Sequence, residues 1–219
     1  MRIGIIGAGL VAQGVAQLAL KSGHELMLSN GRGPESLRDA GRKIGVSIGT
    51  VDEAVAFGDA ILVAIPFSAI HTLPTEALSG KLVMDAANYY PERDGRIEEL
   101  DMRESTTSNI LARHLSGSLI VKAFNAILAS DLVKDAKPAG SPGRRALPIA
   151  GDDAQAKQVV ATLHDELGYD VVDAGPLSES WRFERAKPAY CVAFDESGLR
   201  GALSRAERDR EVEEGSWRK

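Results

Sequence analysis

An α/β architecture is predicted, a doubly wound, mostly parallel sheet with a small C-terminal α/β extension. Three features predict it. Short apolar runs alternate with stretches of helical periodicity, and a glycine turn joins the first run to the first helix. The composition, 22 glycines against 5% aromatic residues, suits tight strand-to-helix turns around a core of Ala, Val, Ile and Leu. With 219 residues, 44% of them apolar, the chain can bury a core of its own.

Ile3-Gly4-Ile5-Ile6 reads as a strand buried on both faces. Residues 10–21 follow with Val11, Val15, Leu18 and Ala19 at helical spacing, and Gly23 stops that helix. Leu26-Met27-Leu28 is a second strand, and Pro34 opens a helix over 34–43. Residues 60–65 and 82–84 are further strands, and a helix over 105–115 leads to a strand over 118–124. Such alternation implies parallel strands joined by right-handed crossovers. Two prolines and two glycines mark 134–145 as a linker, dividing a nucleotide-binding domain over 1–133 from a smaller extension over 146–219. The extension reads as strand 147–150, helix 152–167 and strand 170–174, then a break at Gly175-Pro176 and another helical stretch. The charge-dense end, 203–219, reads as a solvated helix with a frayed tip.

Composition excludes several classes of function. A net charge of −5 with interspersed signs lacks the basic stripe of a nucleic-acid binder. A single cysteine, Cys191, forbids an internal disulfide and a cysteine-cluster metal site, and no two histidines have metal-site spacing. No apolar run reaches membrane-spanning length, and the apolar start breaks at Gly7 and Gly9. The expectation is a cytoplasmic protein with no membrane, nucleic-acid or metal partner.

The first strand runs into Gly7-Ala8-Gly9-Leu10-Val11-Ala12, the G-x-G-x-x-A form of the dinucleotide fingerprint of the Rossmann fold. Gly7 permits the tight turn, Gly9 leaves room for a pyrophosphate, and Ala12 lets helix and strand pack closely. The free N–H groups at the helix start, near Leu10 and Val11, would meet the pyrophosphate. An NAD site places Asp or Glu at the end of the second strand. Here that position reads Ser29-Asn30-Gly31-Arg32-Gly33, with no acid, and Glu25 comes too early. Arg32 offers a planar fork to a 2′-phosphate, and charge-assisted bonds of about 1.5–3 kcal/mol each would favour NADP roughly ten- to a hundredfold. Arg38 lies further along as a helper or a solvated side chain.

Ligands of such sheets sit at the carboxyl ends of the strands. Three ends supply candidates: Ile65, Pro66 and Phe67; Ala87 and Asn88; Phe124 and Asn125. Asn88 and Asn125 are either ring-binding amides or turn residues. No tyrosine has a lysine four positions later, so the short-chain dehydrogenase pair is absent. If a proton donor is needed, His71, about a turn past Pro66, is one candidate, although a surface position is equally consistent. His24, His114 and His164 read as structural or solvated. Lys122 either reaches substrate or, the favoured reading, snorkels from a strand edge. Cys191 reads as a buried thiol.

Gly7-Ala8-Gly9, Ser29-Asn30-Gly31-Arg32-Gly33-Pro34, Lys122-Ala123-Phe124-Asn125, Ala150-Gly151-Asp152-Asp153 and Asp173-Ala174-Gly175-Pro176-Leu177 occur in that order. Together they resemble the NADPH:coenzyme F-420 (8-hydroxy-5-deazaflavin) oxidoreductase family, over about residues 1–190. The resemblance implies NADP held by the first half, with coenzyme F-420 or a similar planar hydride acceptor against the nicotinamide. It also implies a homodimer, because relatives are commonly dimers. Many relatives carry Ser where this chain has Gly31, which removes one phosphate donor. Two rival readings stay open: an NADPH-dependent reductase of a small imine, carbonyl or ferric chelate, and a non-catalytic NADPH-binding module.

Overall fold

The computed structural model describes residues 1–213 and 215–216. Its sheet has eight strands in the order β3-β2-β1-β4-β5-β6-β7-β8. Five parallel crossovers generate the first six: β1 (Arg2–Ile6), β2 (Glu25–Ser29), β3 (Ser47–Ile48), β4 (Ala60–Val63), β5 (Leu82–Asp85) and β6 (Leu119–Lys122). β7 (Ala146–Gly151) then returns antiparallel to β6, and β8 (Asp170–Asp173) pairs parallel with β7. The direction of sheet growth reverses between β1 and β4, which creates a crevice at their carboxyl ends.

Helices α1 (Leu10–Lys21), α2 (Arg38–Ile44), α3 (Val51–Phe57), α4 (Thr75–Leu78), α5 (Pro91–Asp94), α6 (Glu98–Asp101), α7 (Thr107–His114), α8 (Ala154–Glu166) and α9 (Glu196–Ser204) surround the strands. The sheet is buried on both faces. In β4, Ala60 and Leu62 join a core with Val15 and Leu18 of α1, whereas Ile61 and Val63 join a second core with Leu111 of α7. A third core lies under α9, where Leu199, Ala202 and Leu203 meet Ala146 and Val172.

Apart from β3, the strands and the helices α1, α7 and α8 fall where the apolar periodicity puts them, with β4 ending at Val63 and β6 at Lys122, each two residues short of the expected run. The helix expected over 34–43 opens instead as a 3-10 turn, Pro34–Leu37, before α2. β3, α3 and the short helices α4, α5 and α6 are additions. Thr50 caps α3 reciprocally with Glu53: the Glu53 N–H donates to Thr50 Oγ1 at 3.2 Å, and the Thr50 N–H donates to Glu53 Oε2 at 2.8 Å. Residues 134–145 hold no helix or strand but are pinned from within. Arg144 is buried against Asp165 at 2.6 Å and Asp170 at 2.8 Å, and Arg145 against Asp135 at 2.7 Å.

The expected terminal helix does not form over 205–213; α9 stops at Ser204. Lys187 Nζ takes the carbonyls of Glu207, Arg208 and Arg210, each at 2.8 Å. Carbonyls bound by a side chain from elsewhere are less free to accept the helical i+4 N–H groups, and the segment lies down across the 181–187 region. Residues 214 and 217–219 of that expected helix lie outside the described residues.

Candidate nucleotide site

A cavity of about 710 Å³ opens at the carboxyl ends of β1, β2 and β4. Its wall brings together Gly7, Ala8, Gly9, Asn30, Gly31, Arg32, Ile65 and Pro66. Gly7 has φ +121°, and its N–H donates to Ser29 O at 2.9 Å; a Cβ there would stand 2.2 Å from Ala64 O. Only glycine permits that turn. Gly9 differs: its φ is −71°, and a Cβ would meet no protein atom within 4 Å. Gly31 is equally open.

The first backbone bond of α1 is Gln13 N–H to Gly9 O at 3.0 Å, with no side-chain cap and no acid in the first turn. The N–H groups of Leu10, Val11 and Ala12 are therefore without helical partners, at a terminus whose dipole favours an anion. Gln13 Nε2 donates to Ala8 O at 2.8 Å and braces the turn. Leu10 itself projects outward, 74% exposed.

At the end of β2, Asn30 organises the loop. Its Oδ1 accepts the Arg32 N–H at 2.9 Å and its Nδ2 donates to Ser36 Oγ at 3.0 Å. Among the described residues the Arg32 guanidinium, exposed on the cavity wall, makes no hydrogen bond or ion pair. Arg38 is paired with Glu35 at 2.7 Å and lies off that wall. Ser29 is fully buried, and its hydroxyl donates to Ile5 O at 2.8 Å. This combination suits a dinucleotide carrying an extra phosphate: bare N–H groups, a side-chain-free approach at Gly9 and Gly31, and an unpaired guanidinium.

The cavity also takes Val51 and Asp52 from α3, and Ala69, Thr72, Leu73 and Pro74 from the segment after β4. Sequence reasoning missed these; the Thr50-x-x-Glu53 spacing was the available signal for α3. His71 is exposed on the 3-10 segment Phe67–Thr72 and does not line the cavity.

The remaining candidates lie deeper, beyond this wall. Phe67 is buried edge-to-face against Tyr89, with ring centroids 6.3 Å apart. Phe124 is buried with φ +60°, its ring stacked on His164 at 4.0 Å. Burial pushes the His164 imidazole down to about 4. Asn88 and Asn125 bind each other: Asn88 Nδ2 donates to Asn125 O at 2.9 Å, and Asn125 Nδ2 to Asn88 Oδ1 at 3.1 Å. Asn125 Nδ2 also donates to Phe183 O at 3.0 Å. Ala87 is buried beside them. Lys122 is not at a strand edge, because β7 covers β6; it is wholly buried and paired with Asp85 at 3.1 Å. Cys191 is buried as expected, and burial pushes its thiol up to about 12.

A second cavity, of about 490 Å³, lies past the end of β5 between the 89–107 and 181–187 segments and the C-terminal stretch; Thr107, Trp181, Glu184 and Lys187 are on its wall. Among the described residues no cluster of His, Cys, Asp and Glu is placed to hold a metal ion, and no helix is long and apolar enough to cross a membrane.

Comparison with known proteins agrees with this geometry. The chain is 30% identical over 187 residues to the metalloreductase STEAP3 of Rattus norvegicus, covering 84% of this chain and 36% of that protein. It is 38% identical over 71 residues to YjhV of Escherichia coli (strain K12), covering 32% of this chain and 52% of YjhV. The chain thus spans about half or less of these curated relatives. Among solved structures, the hypothetical protein SMa0349 of Sinorhizobium meliloti superposes with a TM-score of 0.77 at 26% identity, over 90% of this chain and 95% of that one. A protein of Arthrobacter sp. FB24, provisionally described as an F420-dependent NADP-reductase, shares the fold with a TM-score of 0.71 at 24% identity, over 82% of this chain and 87% of that one. Residues 2–89, which carry the glycine turn and the Arg32 loop, match the family described as NADP oxidoreductase, coenzyme F420-dependent.

Proposed function

We propose that this chain is an NADP-dependent oxidoreductase that passes a hydride between NADPH and a planar acceptor of the deazaflavin type. The observation that carries the reading is the unpaired Arg32 guanidinium on the same wall as Gly7 and Gly9. The acid of this cavity, Asp52, comes from α3 and not from the end of β2, where a ribose 2′-hydroxyl would be recognised.

The N–H groups of Leu10, Val11 and Ala12 would hold the pyrophosphate, and Arg32 the 2′-phosphate. When bound, the nicotinamide supplies the hydride. Ile65 and Pro66 keep water from the reacting face. The tied amides of Asn88 and Asn125 hold the acceptor side in shape. In this reading residues 1–133 hold the nucleotide and 146–219 complete the acceptor crevice. The protein works in the cytoplasm as a homodimer.

The match to a metalloreductase supports a second reading, a reductase of ferric chelates. One experiment separates the two. NADPH and NADH are titrated into the protein, and NADPH oxidation is then followed with 8-hydroxy-5-deazaflavin, a ferric chelate and a cyclic imine. We expect NADPH to bind at least tenfold more tightly than NADH and the deazaflavin to be reduced. Equal affinities would overturn the cofactor argument, and turnover with ferric chelate alone would give the second reading the place of the first.

A further inference from the structure

A wholly buried ion pair stands at the carboxyl ends of β5 and β6, apart from the nucleotide cavity. Asp85 and Lys122 are register partners in the parallel ladder, and neither side chain reaches solvent. All of its polar capacity is directed inward. Lys122 Nζ donates to Asp85 Oδ2 at 3.1 Å, to Thr107 Oγ1 at 2.8 Å and to the carbonyl of Ala87. Asp85 Oδ1 accepts the Ala87 N–H at 2.9 Å, and Oδ2 accepts the Ser108 hydroxyl at 2.6 Å.

Taking two charges out of water is costly, and a well-packed apolar pair of similar volume is commonly as stable or more so. Stability alone therefore does not call for ions here. What the pair does is grip one residue from both sides: its carboxylate holds the N–H of Ala87 and its ammonium holds the C=O. The next residue, Asn88, is fixed from the other direction by the two bonds it shares with Asn125.

The network also runs outward. Thr107 Oγ1, which accepts from Lys122, donates to Glu184 Oε1 at 2.7 Å, and the Thr107 N–H reaches the same oxygen at 3.0 Å. Asn125 Nδ2 reaches the carbonyl of Phe183. Two separate routes thus join Ala87 and Asn88 to residues 183 and 184, and Thr107 and Glu184 are on the wall of the second cavity.

We infer that Lys122 is a positioning residue: with Asp85 it sets the backbone of Ala87, and through it the Asn88 carboxamide, which would shape the space where the nicotinamide meets its acceptor. The inference rests on the oxidoreductase reading. It assigns no proton transfer to Lys122. The pair closes β5 and β6, whereas Asn30, Gly31 and Arg32 follow β2 on the far side of β1 and β4, so its effect falls on the ring end of the nucleotide and not on the adenosine end.

Two variants test this: Lys122→Met, and the double variant Asp85→Leu/Lys122→Met, which replaces the buried ions with apolar groups and so avoids the unpaired buried carboxylate that the single change leaves. Each is titrated with adenosine 2′,5′-bisphosphate, which probes the adenosine end alone, and with NADPH while the emission of its reduced ring is recorded. The expected result is bisphosphate affinity within about twofold of wild type and reduced-ring emission moved toward that of free NADPH. A folded double variant with wild-type emission would overturn the inference. So would a parallel loss of bisphosphate affinity, which marks a general structural role. Wild-type protein that binds no NADPH would sink the oxidoreductase reading first, a result seen before any variant is made.

Discussion

Replacing Gly9 by alanine separates the nucleotide site from the fold that carries it. At this position the backbone has φ −71°, a conformation any residue adopts, and the added methyl would meet no protein atom within 4 Å. Alanine reduces the freedom of the unfolded chain, which stabilises by about 0.4–1 kcal/mol. It is also a poorer N-cap than glycine, which costs roughly 0.5–1 kcal/mol. The two nearly cancel, so denaturant unfolding should place Gly9→Ala within about 0.5 kcal/mol of wild type. Binding should respond differently. The methyl projects into the open space where a pyrophosphate would approach the helix N-terminus. Losing one charge-assisted N–H contact there costs about 1.5–3 kcal/mol, or roughly 10- to 150-fold in NADPH affinity. The assay is a fluorescence titration of NADPH beside an unfolding curve on the same preparation. Wild-type NADPH affinity in Gly9→Ala would refute the placement of the phosphates over this glycine. The companion change Gly7→Ala should destabilise the fold itself, because its Cβ would stand 2.2 Å from Ala64 O at φ +121°.

Arg32→Ala should weaken NADPH binding roughly ten- to a hundredfold while leaving NADH nearly unchanged. Arg38→Ala, which breaks only an exposed pair with Glu35, should change either affinity less than about fivefold; calorimetric titration of both nucleotides checks the two variants together. His164 gives a pH dependence. Its folded pKa is lowered to about 4 by burial, with Nδ1 bound to Val160 O and Nε2 buried without a partner. As pH falls from about 6.5 toward 4, the unfolded imidazole takes up a proton that the folded one refuses. Stability present above pH 6.5 is therefore lost across that window, at up to ~1.4 kcal/mol per pH unit. Urea unfolding at pH 7 and pH 5 should show that slope in wild type and a shallower one in His164→Leu; equal slopes would remove His164 as its source.

The parts of the fold legible in the sequence are those whose signals are local. β1, α1 and β2 announce themselves by apolar runs, helical spacing and the Gly7 and Gly23 breaks; α8 falls inside the stretch read as helix over 152–167, opened by Asp153, whose side chain accepts the Ala156 N–H at 2.7 Å. β3 has only two residues, Ser47 and Ile48, too short for any periodicity. The C-terminal stretch misled because composition cannot show that Lys187, some twenty residues earlier, takes the carbonyls a continuing helix would need for itself. A charged run does read as a solvated helix until something binds its backbone.

The same contrast runs through the site. Its nucleotide side is made of two short segments, 7–12 and 30–32, in which the turn, the helix terminus and the guanidinium are neighbours in sequence. The absence of an acid after β2 can be read directly. The acceptor side proposed above draws on 85–88, 107–108, 122–125 and 183–184, and no one of these announces its partners. Lys122 read as an edge lysine because nothing local says that β7 turns back antiparallel to cover β6. One signal was nevertheless present: Asp85 and Lys122 each follow three apolar residues and end their strands. In a parallel sheet, adjacent strands that end together bring their last residues side by side, as Asp85 and Lys122 are here. Opposite charges at that depth are expensive unless they meet, so a lone lysine closing one buried strand and a lone aspartate closing another are better read as each other's partner than as two surface groups.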